Sequence, residues 1–254
     1  VTRPHPELPA GYRLVSFDAV GSTNDEAKRL ARAGAASGTV VWALQQTAGR
    51  GRRDRRWLSP LGNLYASFLL RPDCPWARAA QIGFVAALAI GDALRGLVPE
   101  PVPIAYKWPN DVMIDGRKIA GVLLEAENAA AAVPSFLVVG IGINLASAPG
   151  DTEIPATCVA ALGREGPAPE TMLELLAARF DLWLNRWRAS GFVAIRDAWL
   201  AAAAALGQSV RVRLENRELN GRFRDIDGDG VLLLETGDGL RRIAAGDVFP
   251  AASR

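Results

Sequence analysis

YKWPNDVMIDGRKIAGVLLE, residues Tyr106 to Glu125, is where the reading of the fold begins. Its apolar residues flank Asp115-Gly116, a pair suited to the positive φ angles of a tight hairpin turn, so the stretch reads as two strands back to back. Lys118 then sits on a strand beside Pro109-Asn110-Asp111. A strand holds a lysine more rigidly than a loop does, which suits a point charge needed in one place. Taken by itself, Pro-Asn-Asp is equally an ordinary turn.

Outward from the hairpin, the pattern alternates between sheet and helix. Upstream, Leu64–Leu70 reads as a strand and Ala77–Leu97 as a helix. That helix is the most apolar stretch of the chain, but Arg78, Gln81, Asp92 and Arg95 mark it as buried rather than membrane-spanning. Downstream, Phe136–Leu145 (FLVVGIGINL) is a buried strand. Its alternating glycines, Gly140 and Gly142, mark a close approach by a ligand or by another part of the protein. Met172, Leu176, Phe180, Trp183, Leu184 and Trp187 recur at helical spacing, and a second, alanine-rich helix covers Phe192–Leu206 and stops at Gly207. Beyond it, Ser209–Leu214, Gly221–Arg224, Val231–Glu235 and Arg241–Ile243 are short strands linked by glycine-rich turns, the pattern of a small β-barrel. Toward the N-terminus, Thr39–Leu44 is a strand. A helix runs from Thr23, with Glu26 at capping-box spacing, to Gly34. Residues 1–12, with three prolines, read as a loose tail.

Composition narrows the function. The chain has 254 residues, half of them apolar, enough for one main core and a small second domain. Its net charge of +2 gives no chain-wide basic field for coating nucleic acid. Cys74 and Cys158 fit no metal-ligand spacing and read as free thiols in a reducing cytosol. The one histidine, His5, lies near a terminus, which argues against histidine catalysis and His-ligated zinc. The N-terminus lacks the layout of a signal peptide, so a cytoplasmic protein is expected.

The densest chemistry lies in Gly49–Trp57, GRGRRDRRW, with five arginines and one aspartate. Guanidinium forks pair with carboxylate and phosphate oxygens, and the glycines let backbone N–H groups approach an anion. The segment is neither a Walker A loop nor a dinucleotide fingerprint. Alone, it is as well read as a solvated basic loop or a nucleic-acid patch. Ser22-Thr23-Asn24, at a helix start, is explained either as an N-cap or as an anion site.

Together these stretches resemble one family. GSTN (Gly21–Asn24), QTAGRGRR (Gln46–Arg53) with RRW (Arg55–Trp57), KWPND (Lys107–Asp111), RKIAG (Arg117–Gly121) and GIGIN (Gly140–Asn144) match the biotin protein ligases in motif and in order. The resemblance implies an α+β fold: a mixed β-sheet flanked by helices, like the class II aminoacyl-tRNA synthetases, over residues 1–206, and an SH3-like β-barrel over 207–254. It implies that Lys118 contacts both the acid carboxylate and the α-phosphate, with Arg52 as the second catalytic cation. It places biotin against Ser22, Thr23, Asn24, Gln46, Gly49, Arg50, Gly51, Arg52, Lys118, Gly121, Gly140 and Gly142. It places ATP or AMP against Arg50, Arg52, Arg55, Trp57, Asn110, Lys118 and Asn144, with Asp111 as a carboxylate for magnesium. Asp54 departs from the pattern, because many relatives carry glycine there. Some members carry a DNA-binding helix-turn-helix ahead of the catalytic domain; the residues before Gly21 are too few for one, so no repressor function is expected.

The implied substrates are biotin and ATP with Mg2+. The implied partner is a biotin carboxyl carrier protein domain; neither nucleic acid nor membrane is expected, and a homodimer is left open. In the first step a carboxylate must attack the α-phosphorus of ATP, so two anions meet where water is excluded. A protonated Lys118 and Arg52 offset that repulsion. The acyl-adenylate needs shelter from water, which makes Gln46–Trp57 a lid expected to be mobile without ligand. The rivals are a lipoate protein ligase, whose glycine-rich motif ending in histidine is absent here, and a nucleic-acid-binding module built on the arginine loop.

Overall fold

The computed structural model describes residues 6–127, 132–163 and 166–251; His5 lies outside the described residues. A seven-stranded mixed sheet has the order β1-β2-β3-β7-β6-β5-β4. Its strands are β1 (Arg13–Val20), β2 (Thr39–Gln46), β3 (Leu64–Leu70), β4 (Ile104–Lys107), β5 (Asp111–Ile114), β6 (Arg117–Ala126) and β7 (Leu137–Ile143). Helix α1 (Thr23–Arg32) connects β1 to β2, the only parallel pair among the described strands. Helices α2 (Trp76–Ala80), α3 (Ile82–Leu94), α4 (Pro169–Ser190) and α5 (Val193–Leu200) follow. A five-stranded antiparallel sheet closes the chain in the order β11-β10-β9-β8-β12, made of β8 (Ser209–Arg213), β9 (Glu218–Ile226), β10 (Leu232–Thr236), β11 (Gly239–Ile243) and β12 (Asp247–Pro250).

The period of two along each strand sorts the main sheet into two faces. Val40, Trp42, Ala66, Phe68, Val139, Ile141, Val112 and Val122 belong to one large core that takes in α3, α4 and α5. The opposite face carries Val41, Leu69 and Val138, packed with Ala27 and Ala31 of α1 in a smaller cluster. Helix α1 is short, so it roofs only part of that second face, and the cavity described below occupies the remainder. The large core continues into the C-terminal sheet through Val210, Val212, Phe223, Leu232 and Leu234. Trp108, 1% exposed, ties the two sheets together by donating its indole N–H to the carbonyl of Gly230 at 3.0 Å. The apolar stretch 76–94 is long enough to cross a bilayer, but 78% of it is buried inside the fold.

Several local expectations are corrected. Tyr106–Glu125 holds three strands, because β4 ends at Lys107 and Trp108–Asn110 turn the chain back into β5. The Asp115-Gly116 turn itself is as expected, with φ of 49° and 69°. The helix expected over Ala77–Leu97 divides at Gln81, whose buried side chain serves the Gly228 carbonyl and the Trp187 indole. Strand β1 has a half-exposed edge pattern and no strong apolar alternation, which is why the sequence leaves it unassigned. The N-cap of α1 is Ser22, not Thr23, and it makes no side-chain capping bond; Glu26 pairs with Arg29 instead. The described part of the expected tail packs down: Leu8 and Tyr12 meet the core, and Tyr12 stands edge-on to Phe68.

Candidate active site

One row of directly paired residues crosses the open face of the main sheet: Lys107–Asp111–Gly121–Gly142–Tyr65. Direct cross-strand partners share a face, so two charged residues sit at one end of a trough whose middle has no side chains. In a regular strand, Lys118 and Gly121 point to opposite faces, being three residues apart. An irregularity in the β5–β6 register between Val112 and Met113 resets that parity. A Cβ at Gly121 would lie 3.3 Å from Lys118 Cε, so the lysine does share the face of Asp111. Its Nζ stands 2.6 Å from Asp111 Oδ1, a close ion pair that falls outside hydrogen-bond alignment, since this buried oxygen has no aligned donor.

The arginine loop closes over this trough. Arg52–Asp54 form a turn of 3-10 helix, and Arg50 and Arg56 pair across it in a β-bridge. Arg53 and Asp54 both have positive φ, 54° and 56°. Glycine adopts that region freely and aspartate tolerates it better than most residues, so Asp54 fits the backbone it occupies. Trp57 lies against the sheet where Gly142 leaves room: a Cβ there would come within 2.6 Å of the indole. Gly140 does the same for Asn24, whose Oδ1 would be 2.2 Å from an added Cβ. Both glycines therefore answer a packing need of the protein itself. Lys118 Nζ is 5.3 Å from the Trp57 ring centroid, within cation–π range.

Among the described residues, four of the five loop arginines are ion-paired, although Arg53, Arg55 and Arg56 are exposed. Arg50 forks onto Asp25 at 2.6 and 2.7 Å and reaches Glu125 at 3.5 Å. The Arg50 hydrogen bond is the main reason the Asp25 carboxyl is held down at about 2; burial opposes it and Lys28 assists. On the other side of the loop, Arg52, Arg53 and Arg55 all meet Asp247 at the start of β12. Burial pushes the Asp247 carboxyl up, but the arginines, Arg55 first, outweigh it and leave it below its ordinary value. Arg52 also donates to the Gly246 carbonyl at 3.2 Å, and burial lowers its own pKa.

At the opposite end the surroundings are neutral and polar. Gln46 Oε1 accepts from the Thr23 backbone N–H at 2.9 Å and lies 3.1 Å from its hydroxyl, while Gln46 Nε2 donates to Ser59. Buried Ser67 holds Thr23 and Asn24 at 2.8 and 2.6 Å. Asn24 Nδ2 donates to Glu125, and the Ser22 hydroxyl is not spent on capping the helix. The result is a fixed set of small polar groups beside an apolar sheet face, able to bind a compact polar head.

These parts line one cavity of about 440 Å³. Ser22, Thr23, Asn24, Gln46, Arg50, Gly51, Arg52, Arg55, Trp57, Asn110, Asp111, Lys118, Gly121, Gly140, Gly142 and Asn144 all border it. Gly49 alone of the expected residues does not; it sits behind the wall, where a Cβ would clash with Ser59 and the Trp57 carbonyl at 2.6 Å. Asn110 and Asn144 each spend a side-chain donor on the backbone, at Val122 and Thr157, so they brace the walls as well as border the cavity. The sequence reading passed over Lys107, quoted within its motif but given no role, and Asp247, which no local pattern marks. It also passed over Ser67 and the 149–156 segment, whose Pro149, Asp151, Thr152, Glu153, Ile154 and Ala156 form the far wall.

Comparison with known proteins agrees with this geometry. Residues 55–201 match the Biotin/lipoate A/B protein ligase family and residues 205–249 match the Biotin protein ligase C terminal domain. The chain is 45% identical to a biotin--[acetyl-CoA-carboxylase] ligase of Paracoccus denitrificans, over 90% of this chain and 96% of that protein. It is 34% identical to the bifunctional ligase/repressor BirA of Bacillus subtilis, over 94% of this chain and 74% of that one. Among solved structures, the biotin protein ligase of Aquifex aeolicus in complex with biotin and ATP superposes with a TM-score of 0.79 at 29% identity, covering 93% of this chain and 97% of that one. The chain belongs to the biotin/lipoate protein ligase family and, within it, to the biotin protein ligases.

Proposed function

We propose that this chain joins biotin to ATP as biotinyl-adenylate in the 440 Å³ cavity, then passes the biotinyl group to a lysine of a biotin carboxyl carrier protein domain. One observation carries this reading: cations from two separate parts of the chain, Lys118 of β6 and Arg50, Arg52 and Arg55 of the loop, converge on a cavity whose other end is neutral and polar. The resemblance of the chain to biotin ligases favours biotin over lipoate. The pairing of Arg50 with Asp25, and of Arg52 and Arg55 with Asp247, speaks against a nucleic-acid patch. Residues 1–206 would form the catalytic part and 207–254 the C-terminal part. Both cysteines are free and buried, which suits the cytosol as the place of action.

In this reading Ser22, Thr23, Asn24 and Gln46 bind the head of biotin, and its carboxylate reaches Lys118. Lys118 leaves Asp111 for the biotin carboxylate and the α-phosphate, and Arg52 supports the charge on the transferring phosphorus. No enzyme nucleophile takes part; the acceptor amine attacks the acyl carbon and AMP leaves. Magnesium belongs with ATP as part of the substrate. Among the described residues no cluster of three His, Cys, Asp or Glu exists to hold a resident metal. Asp111, with its buried oxygen lacking an aligned donor, suits an ion that arrives with phosphates and keeps its waters. When bound, that ion would neutralise phosphate charge.

The test is mass spectrometry of the intact protein after incubation with biotin and ATP, followed by addition of a carrier domain. Retained biotinyl-adenylate, then a biotinylated carrier lysine, is the expected result. Absence of both, with biotin bound, refutes it.

A further inference from the structure

Lys28 lies outside the cavity lining, yet it meets both carboxylates that hold Arg50. Its Nζ is 3.0 Å from Asp25 Oδ1 and 2.9 Å from Glu125 Oε1. Arg50 Nη2 reaches the same two oxygens, at 2.6 and 3.5 Å. The periods of helix and strand bring these groups together. Lys28 follows Asp25 by three residues and Asn24 by four on α1, spacings that set their side chains next to one another. On β6, Gly121, Leu123 and Glu125 alternate onto one face. The first two border the cavity, and Glu125 lies farther along, where Asn24 and Lys28 both donate to it, at 2.7 and 2.9 Å.

The four charges of this group cancel, two carboxylates against two cations, but the cations are held differently. Lys28 stands on the helix with its side chain 17% exposed, whereas Arg50 stands on the loop that covers the cavity and borders the cavity itself. Burial pushes the Glu125 carboxyl up, but Lys28, Asn24 and Arg50 outweigh it and leave it below its ordinary value. Two cations on the same oxygens repel each other, so each loosens the hold of the other. Were Arg50 the only cation there, its departure would leave two carboxylates bare beside each other, with the Glu125 side chain only 25% exposed. A partly buried charge stripped of its partner is costly.

We propose that Lys28 is a positioning residue for Arg50: it stays on Asp25 and Glu125 while Arg50 turns from them to the anionic group of a substrate in the cavity. This rests on the reading above, in which Arg50 is one of the cations that serve the substrates. Asp25 and Glu125 store the guanidinium before the substrate arrives, and Lys28 keeps that store shallow. The loop then closes on its ligand without stripping two carboxylates of all counter-charge. Lys28 touches no substrate; it sets how firmly this flank of the loop is latched.

The test is biotin-dependent exchange of labelled inorganic pyrophosphate into ATP by the full-length protein, with wild type, Lys28→Met, Asp25→Asn and the double variant. Lys28→Met leaves Arg50 alone with both carboxylates. It should lower kcat/KM for biotin about three- to tenfold and slow tryptic cleavage between residues 50 and 56 of the ligand-free protein. The double variant sets one cation, Arg50, against one carboxylate, Glu125, and should bring kcat/KM back to within about twofold of wild type. Lys28→Gln, alone and with Asp25→Asn, covers the case in which the Met variant does not fold. A kcat/KM unchanged in a folded Lys28 variant overturns the proposal. A double variant no better than the single one also overturns it, since a lysine that merely braced α1 would not be rescued by removing its partner. Absence of exchange in the wild type is a different failure: it removes the ligase reading itself.

Discussion

The β5–β6 hairpin and the arginine loop bring cations to the same cavity by different physical means. Lys118 stands on a paired strand: its own N–H donates to the Pro155 carbonyl at 2.7 Å and its carbonyl accepts from Thr157 N–H at 2.9 Å. Its position is set by the ladder. The loop has three backbone cross-links of its own, from Gly51 N–H to the Arg55 carbonyl at 2.7 Å, from Trp57 N–H to the Gly49 carbonyl at 2.9 Å and from Arg55 N–H to the Arg52 carbonyl at 3.3 Å. Beyond those it is held by side chains: Trp57 against the sheet, Arg50 paired with Asp25 on one flank, and Arg52, Arg53 and Arg55 paired with Asp247 on the other. The Arg50–Asp25 pair is exposed enough to be worth about 0–1 kcal/mol, whereas the three pairs on the other flank share one buried carboxylate. A lysine fixed by its strand and arginines latched through side chains suit a reaction in which the charge must be ready but the cover must open. The carboxylates that hold the loop also occupy the guanidinium forks that an incoming anion would claim.

Breaking the rigid side should have the largest effect. Lys118→Met is expected to lower adenylate formation about a hundred- to a thousandfold, measured as pyrophosphate exchange, with biotin still bound. A loss under fivefold would mean that the loop arginines, not the hairpin, carry the charge stabilisation.

Breaking the latch comes next. Asp247→Ala leaves Arg52, Arg53 and Arg55 repelling one another without a counter-charge. We expect roughly a tenfold fall in kcat/KM for ATP and faster tryptic cleavage between residues 50 and 56, with the KM for biotin little changed. Wild-type proteolysis and kinetics would show that the backbone cross-links suffice to hold the loop.

Asp54→Gly sharpens the comparison from the opposite direction. It relieves a non-glycine residue at φ 56°, at the cost of greater freedom in the unfolded chain. A gain of about 0.5 kcal/mol in urea denaturation is expected, with exchange activity within twofold. A loss of stability would mean that the Asp54 carboxylate matters to the charge balance of the loop.

The smallest effect concerns pH. The Asp25 carboxyl sits at about 2 in the folded protein, below its ordinary 3.8, so the unfolded chain binds its proton first as pH falls. Its contribution is complete above about pH 4 and fades between about 4 and 2. The difference in melting temperature between wild type and Asp25→Asn should shrink over that window. A difference that stays constant would detach the Arg50 fork from stability.

Much of this was legible along the chain, and the reasons are local. Asp115-Gly116 demands a turn, the apolar period over Met172–Trp187 demands a helix, and the expected site residues, Gly49 excepted, border a single cavity. Chemistry concentrated in short contiguous runs, such as Gly49–Trp57 and Lys107–Asp111, can be read from composition and spacing alone. Tertiary structure decided what depends on register and on distant partners. The three-residue spacing from Lys118 to Gly121 points them to opposite faces until the irregularity opposite Val112 and Met113 turns them to one. Asp247 carries no signal near its own position; it acquires a role only when β12 pairs with β8 and brings it against arginines 192 to 195 residues earlier in the chain. Lys28 was visible as a residue, but its sharing of two carboxylate oxygens with Arg50 was not. Side-chain identity is local information, while the choice of which side chains meet is made by strand pairing and by the packing of one sheet against the other, both of which link residues far apart in sequence.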